Sequence, residues 1–169
     1  MGTKTINVED HDAKIVELNL SNFMIFHDLK LQFSKGINVI CGENSTGKTA
    51  LLKLLYASLK AMVMAGKERN VSTDTNVQHF VSKFQGVFRP DEFWIGRLVS
   101  RQQGVNRTDV EIRFFNQKKA AFGFTSRQKN RMDLDYDAEL SSMLSDPVYI
   151  PPKEIISSAE NFGSLYRDY

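Results

Sequence analysis

Apolar and polar positions alternate twice near the start of the chain. Val16, Leu18 and Leu20 are separated by Glu17 and Asn19, and Leu29, Leu31 and Phe33 by Lys30 and Gln32. Period two predicts two half-buried strands, and Ser34-Lys35-Gly36 predicts a short turn out of the second. Ile37, Val39, Ile40 and Cys41 then form a short apolar run, which predicts a strand buried on both faces and makes Cys41 a buried thiol. From Leu51 the period lengthens. Leu51, Leu52, Leu54, Leu55, Leu59 and Met62 fall at helical spacings over more than one face, as in a helix packed against a sheet on one side and another element on the other.

Residues 66–76 are polar and punctuated, predicting a loop. Val77, Phe80, Val81, Phe84, Val87 and Phe88 then mark one stripe of a second helix. Pro90-Asp91 opens a shorter helical stretch carrying Phe93, Trp94 and Leu98, with Asp91 as its expected N-cap and Trp94 read as packing or as a partner anchor. Val110, Ile112 and Phe114 alternate with charged residues, as do Phe122 and Phe124 with Gly123 and Thr125. Joined near Asn116 to Lys119, they predict a β-hairpin. Met132, Leu134 and Tyr136 form the apolar side of a further strand whose other side is Asp133, Asp135 and Asp137. Pro147 to Ile150 predicts a short strand stopped by Pro151-Pro152, with a helix opening at Lys153-Glu154.

Between the apolar run and the first helix lies Gly42-Glu43-Asn44-Ser45-Thr46-Gly47-Lys48-Thr49, which fits G-x-x-x-x-G-K-[ST] at every fixed position. Gly42 and Gly47 let the backbone turn tightly and point successive N–H groups into one concavity that accepts phosphate oxygens. Lys48 offers a point charge to the β and γ phosphates and Thr49 a hydroxyl to Mg²⁺, while the helix that begins here adds its unpaired N–H groups and positive dipole end. ATP with Mg²⁺ is the expected ligand.

Composition narrows the alternatives. The 169 residues are 41% hydrophobic, enough for one core. The net charge of +2 is unevenly spread: residues 1–60 carry a net +1, 61–131 a net +7 and 132–169 a net −6. A basic middle suits a nucleic-acid patch or an ordinary solvated face, and the scatter of its cations favours the solvated face. One cysteine allows no internal disulfide, and neither a leader nor an apolar run of membrane-spanning length is visible, so the expected setting is a reducing cytoplasm with no membrane partner. The aspartates from Asp133 do not make a calcium loop, because Ala138 and Leu144 occupy the positions where glycine and glutamate are required. His11, His27 and His79 stand apart from any cluster with zinc spacing.

The run from Ile15 to Phe23, then Phe26, Leu31-x-Phe33, Gly36 to Ile40, and Gly42-x-Asn44 ahead of Gly47-Lys48-Thr49-x-Leu51-Leu52, resembles the N-terminus of the ABC-type ATPases of the SMC, RecF and OLD group. The resemblance covers about residues 14–62. It implies an α/β P-loop NTPase fold with an ABC-ATPase-like mixed sheet and an antiparallel β lobe, apparently incomplete. Strands, phosphate loop and helix would occupy residues 14–64, a helical and hairpin insertion 77–146, and a Q-loop-like strand and helix 147–169. Ser45 stands where that group commonly has glycine. By the same resemblance Phe23, Phe26 and His27 are candidates to meet the adenine, against an ordinary core role for the two phenylalanines, and Glu154 is a candidate Q-loop residue near Mg²⁺ and the attacking water, against a simple first-turn glutamate.

No four-residue apolar run precedes any aspartate, and no Leu-Ser-Gly-Gly stretch occurs, so the metal-holding carboxylate and signature segment of this class are not visible. Phe162, Leu165, Tyr166 and Tyr169 keep helical spacing to the last residue. The expectation is a nucleotide-binding half of a longer ATPase head, pairing head to head and coupling ATP to DNA or an effector protein. Two further readings stay open: a non-hydrolysing module completed by a partner chain, and a small-molecule kinase, against which the strands ahead of the loop count.

Overall fold

A computed structural model describes residues 13–67, 72–101 and 103–151. Its centre is a five-stranded antiparallel sheet in the order β2-β1-β3-β4-β5, formed by β1 (Ile15–Phe23), β2 (Phe26–Gln32), β3 (Arg107–Phe114), β4 (Lys119–Thr125) and β5 (Asp133–Tyr136). One face carries Leu18, Leu20, Val110, Ile112, Ala120, Phe122 and Phe124, all buried. Across the other face the register aligns Ser21, Asp109, Gly123 and Asp133 in one row. Alternation in the sequence thus fixes which side meets the core.

Against the apolar face lie α1 (Lys48–Lys67) and α2 (Thr73–Phe88). The stripe on α2 reaches the sheet through aromatic contacts: Phe84 meets Phe122 edge-on at 5.3 Å and stacks on Phe88 at 5.7 Å, and Phe88 meets Phe23 at 5.4 Å. Such pairs contribute about 0.5–1.5 kcal/mol each beyond burial. A short helix, α3 (Leu140–Met143), packs on the C-terminal turn of α1, where Gly66 leaves room for Ser141. Asp146 adds ion pairs to Lys60 at 2.5 Å and Lys67 at 3.7 Å, and its hydrogen bond from Lys60 holds its carboxyl below the usual aspartate range.

Several expectations are corrected. Residues 36–41 and 147–150 form no strand and belong to no ladder, because no strand among the described residues pairs with either one to take up their N–H and C=O groups. Ile37 and Val39 are 91% and 78% exposed, Val148 and Ile150 85% and 80%, and Cys41 is exposed rather than buried. Only the alternate residues Ile40 and Tyr149 turn towards the core. The expected loop at 66–76 is shorter: α1 runs through Lys67, and α2 begins at Thr73 because Ser72 caps it, its hydroxyl accepting the Thr75 N–H at 3.3 Å. After α2 come two 3₁₀ turns, Asp91–Phe93 and Ile95–Leu98, not an α-helix. Pro90 rather than Asp91 is the capping residue of the first, without a side-chain bond. Leu52 is exposed.

By length and composition α1 is apolar enough to cross a membrane, contrary to the expectation that no such run exists. About half of this helix is buried in the core, and this burial accounts for its apolarity. Tyr169 and the other aromatics at the end of the chain, with Glu154, lie outside the described residues.

The aromatic cluster joins helix layer to sheet, so Phe84→Ala should lower unfolding free energy by about 3–5 kcal/mol, read as a lower denaturant midpoint. A loss below about 1 kcal/mol would mean that this cluster does not hold the layers together.

Candidate nucleotide-binding site

The segment from Gly36 to Thr49 leaves the sheet at β2 and enters α1. Asn38 secures its start: its amide donates to the Ser34 and Gly36 carbonyls, each at 3.1 Å, and its oxygen accepts the Ser34 N–H at 2.8 Å. Gly42 to Gly47 then form one tight loop capping the N-terminus of α1, and Lys48 and Thr49 open the helix. Thr46 Oγ1 donates to the Glu43 carbonyl at 2.8 Å, and the Leu51 N–H donates to the Gly47 carbonyl at 3.0 Å, closing the first helical turn. The N–H groups ahead of Leu51 in that turn have no acceptor one turn back in the helix, which leaves them for an anion.

Two residues take the left-handed conformation here, Ser45 at φ 63° and Gly47 at φ 86°. Glycine is favoured at position 47 on two counts. Its conformation suits glycine, and a Cβ there would lie 2.5 Å from Phe26 Cζ and 2.7 Å from Ile25 Cδ1. The turn between β1 and β2 therefore rests directly on the loop, and that turn is itself held by left-handed Asn22 and Met24, with the Met24 N–H donating to Leu98 at 2.7 Å. Ser45 adopts the left-handed region that glycine adopts at less cost, which gives a physical meaning to the glycine expected at this position.

Lys48 is half-buried, and its ammonium folds back over the loop. It donates to the Gly42 carbonyl at 2.8 Å, to the Glu43 carbonyl, and to Thr46 Oγ1 at 3.4 Å. All three N–H donors are thereby aimed at loop oxygens. Thr49 is exposed one residue into α1, and Glu43, Asn44, Ser45 and Thr46 are exposed along the loop. Beside it opens a hollow of about 510 Å³ lined by Phe26, Leu29, Leu31, Ile40, Gly42 and Lys48 among others.

The other candidates separate. Phe23 is fully buried in the core, Phe26 lies over Gly47 and lines the hollow, and His27 faces outward on β2. Asp133, Asp135 and Asp137 face cations, pairing with Arg107 at 2.5 Å, Lys119 at 3.9 Å and Lys118 at 2.7 Å. Among the described residues no group of His, Cys, Asp or Glu is arranged to hold a metal ion. Ile25 is the loop contact that sequence reasoning missed; its only signal is a position two residues beyond Phe23 in a turn that contains no glycine.

A family described as AAA domain matches residues 17–162. The chain belongs to the AAA domain family. Within that family, the relatives it resembles are of the SMC and RecF kind, and the chain is similar to the N-terminal part of these ABC-type proteins. It is 27% identical over 154 residues to structural maintenance of chromosomes protein 6 of Dictyostelium discoideum, covering 82% of this chain and 13% of that protein. It is 29% identical over 92 residues to DNA replication and repair protein RecF of Francisella tularensis subsp. mediasiatica, covering 54% and 26%. With DNA repair protein RecN of Rickettsia prowazekii it shares 27% over 97 residues, covering 52% and 17%. The chain thus spans about a quarter or less of these relatives. A solved SMC ATPase, from work on ATP-driven dimerization and DNA-stimulated activation, superposes with TM-score 0.55 at 15% identity over 91% of this chain and 98% of that one. That likeness shows the fold.

Relief of the left-handed Ser45 outweighs the entropy that glycine adds to the unfolded chain. Ser45→Gly should therefore stabilise by about 0.5–1 kcal/mol, raising the thermal midpoint. An unchanged or lower midpoint would mean that Ser45 carries no such strain.

Proposed function

We propose that the chain supplies the nucleotide-binding half of an ATPase head. The observation that supports this reading most strongly is the Lys48 ammonium gathered with the loop at the N-terminus of α1, beneath Phe26. In this reading the backbone of Gly42, Glu43, Asn44, Ser45, Thr46 and Gly47 surrounds the phosphates of ATP, and Lys48 exchanges neutral loop carbonyls for anionic β and γ oxygens. The exchange is downhill because the ammonium trades carbonyl dipoles for full negative charges, and two opposite unit charges at contact attract more strongly than a charge and a dipole. Thr49 offers its hydroxyl to Mg²⁺, which when bound neutralises charge building on the phosphates. Phe26 borders the base, and Glu154 serves the attacking water.

In the full-length form two heads pair, and the cycle is coupled to DNA or to an effector protein in the cytoplasm. The names of the relatives support this coupling: RecF and RecN are repair proteins, and the solved neighbour belongs to ATPases with ATP-driven dimerization. A second reading, a module that binds ATP without hydrolysis and is completed by another chain, draws on the exposed Ile37, Val39, Val148 and Ile150. These are apolar on the face turned away from the core, as a strand buried on both sides would be. Phosphate release in the presence of the completing polypeptide separates the two.

Calorimetric titration with ATP should show binding to the wild type and none detectable to Lys48→Ala, whereas Thr49→Ala should weaken binding chiefly when Mg²⁺ is present. Equal affinity in wild type and Lys48→Ala would overturn the assignment of the loop.

A further inference from the structure

Beyond β5 the chain returns along α1, against the direction of the helix, and three contacts mark its course. Gly66 lies so close to α3 that a Cβ there would stand 2.4 Å from the Ser141 Cβ. Asp146 pairs with Lys60 at 2.5 Å and with Lys67 at 3.7 Å, and the Tyr149 ring meets the Tyr56 ring at 5.7 Å. As the chain advances from 141 to 149, its partner on α1 thus falls back from 66 to 56. At 1.5 Å per residue that is about 15 Å, towards the helix end that carries the nucleotide loop. Tyr56 stands about 12 Å from Lys48 along the same axis, a distance that about four extended residues beyond Tyr149 would cover. No ladder among the described residues holds 147–150, so side-chain contacts set its course: Leu144 and Tyr149 turn to the core, while Val148 and Ile150 are exposed.

We propose that Asp146 is a positioning residue of the nucleotide site: latched to Lys60 and Lys67, it sets how closely the chain beyond Tyr149 approaches the terminal phosphate of ATP and its Mg²⁺. The proposal rests on the ATPase-head reading and adds to it a residue that touches no ligand. Register is what the charges supply. Two rings in contact can slide over one another, whereas the Asp146 carboxylate is shared by two ammonium groups whose stems rise about 10 Å apart on one helix. A slip of the chain in either direction lengthens one of the two pairs and weakens its attraction. A lone exposed ion pair fixes little, but the Lys60 side chain is only 21% exposed and both cations act on one carboxylate. Register matters at the far end, because a displacement of about 1 Å can remove much of the effect of a positioned group. ADP lacks the phosphate that the latched chain approaches. The latch therefore acts on ATP and leaves ADP to the loop.

Calorimetric titration of the full chain with Mg²⁺-ATP and with Mg²⁺-ADP tests this. Asp146→Asn and, independently, Lys60→Gln/Lys67→Gln should weaken ATP binding about tenfold, the usual scale for removing a group that supports a metal site, and leave ADP affinity unchanged. Asp146→Glu keeps the charge and should keep most of the preference for ATP over ADP. The Asp146 side chain is 50% exposed, so unchanged far-ultraviolet circular dichroism is expected of both its variants. A merely structural role predicts a lower thermal midpoint with both nucleotides weakened in parallel, and that result overturns the proposal. So does an unchanged ratio of the two affinities in Asp146→Asn, or a wild type that binds ATP and ADP equally, since nothing then meets the terminal phosphate. A wild type that binds neither nucleotide contradicts the reading of the loop itself, and the proposal falls with it.

Discussion

The arrangement depends on one close contact, the seating of the β1–β2 turn on Gly47. A side chain on Gly47 would have to push aside the ends of the Phe26 and Ile25 side chains, and the same residue turns the chain left-handed into α1, which any side chain would strain. The contact places the N-terminus of a helix, with its free N–H groups and positive dipole end, at the edge of an antiparallel sheet. The sheet contributes rigidity, because β1 is hydrogen-bonded on both sides, to β2 and to β3. The loop can then be open and exposed while its shape is still determined from below.

Lys48 resolves the problem that such a loop creates. A concavity of aimed amides together with inward-turned carbonyls is electrostatically mixed, and the ammonium caps the carbonyl side with three donors. In the proposed reading a phosphate presents a stronger acceptor to the same cation, so the arrangement would hold its own shape and yield to the ligand. Behind it the aromatic contacts of α2 bind the helix layer to the sheet, and the ion pairs of Asp146 tie the segment after α3 back to α1.

Much of this was legible in the residues. Alternation located β1 to β5, and the stripe from Val77 to Phe88 located α2, because period reports the burial pattern that each element needs. The tight loop from Gly42 into α1 was legible because glycine and lysine stand at fixed places in it, the places that a phosphate site would demand. What was not legible depended on partners or on local capping. An apolar run such as Ile37 to Cys41 says that a segment wants cover on two faces but not what supplies it, and the second face stays open here. The same holds for Val148 and Ile150. Ser72 set the start of α2 from inside a polar stretch that read as loop, and the left-handed Glu92 and Phe93 made 3₁₀ turns where apolar spacing suggested an α-helix. The pairing of cations is a tertiary property that scattered Lys and Arg in the sequence do not reveal.

The central claim is that Gly42 to Thr49 is where nucleotide meets the chain. Hydrogen–deuterium exchange of the backbone amides, with and without ATP and Mg²⁺, tests it most directly, since each amide reports its own protection. The account predicts slowed exchange concentrated in Gly42 to Ala50, with a smaller effect in the β1–β2 turn that rests on Gly47. Unchanged exchange in the loop under saturating ATP, or protection confined to another part of the chain, would contradict it.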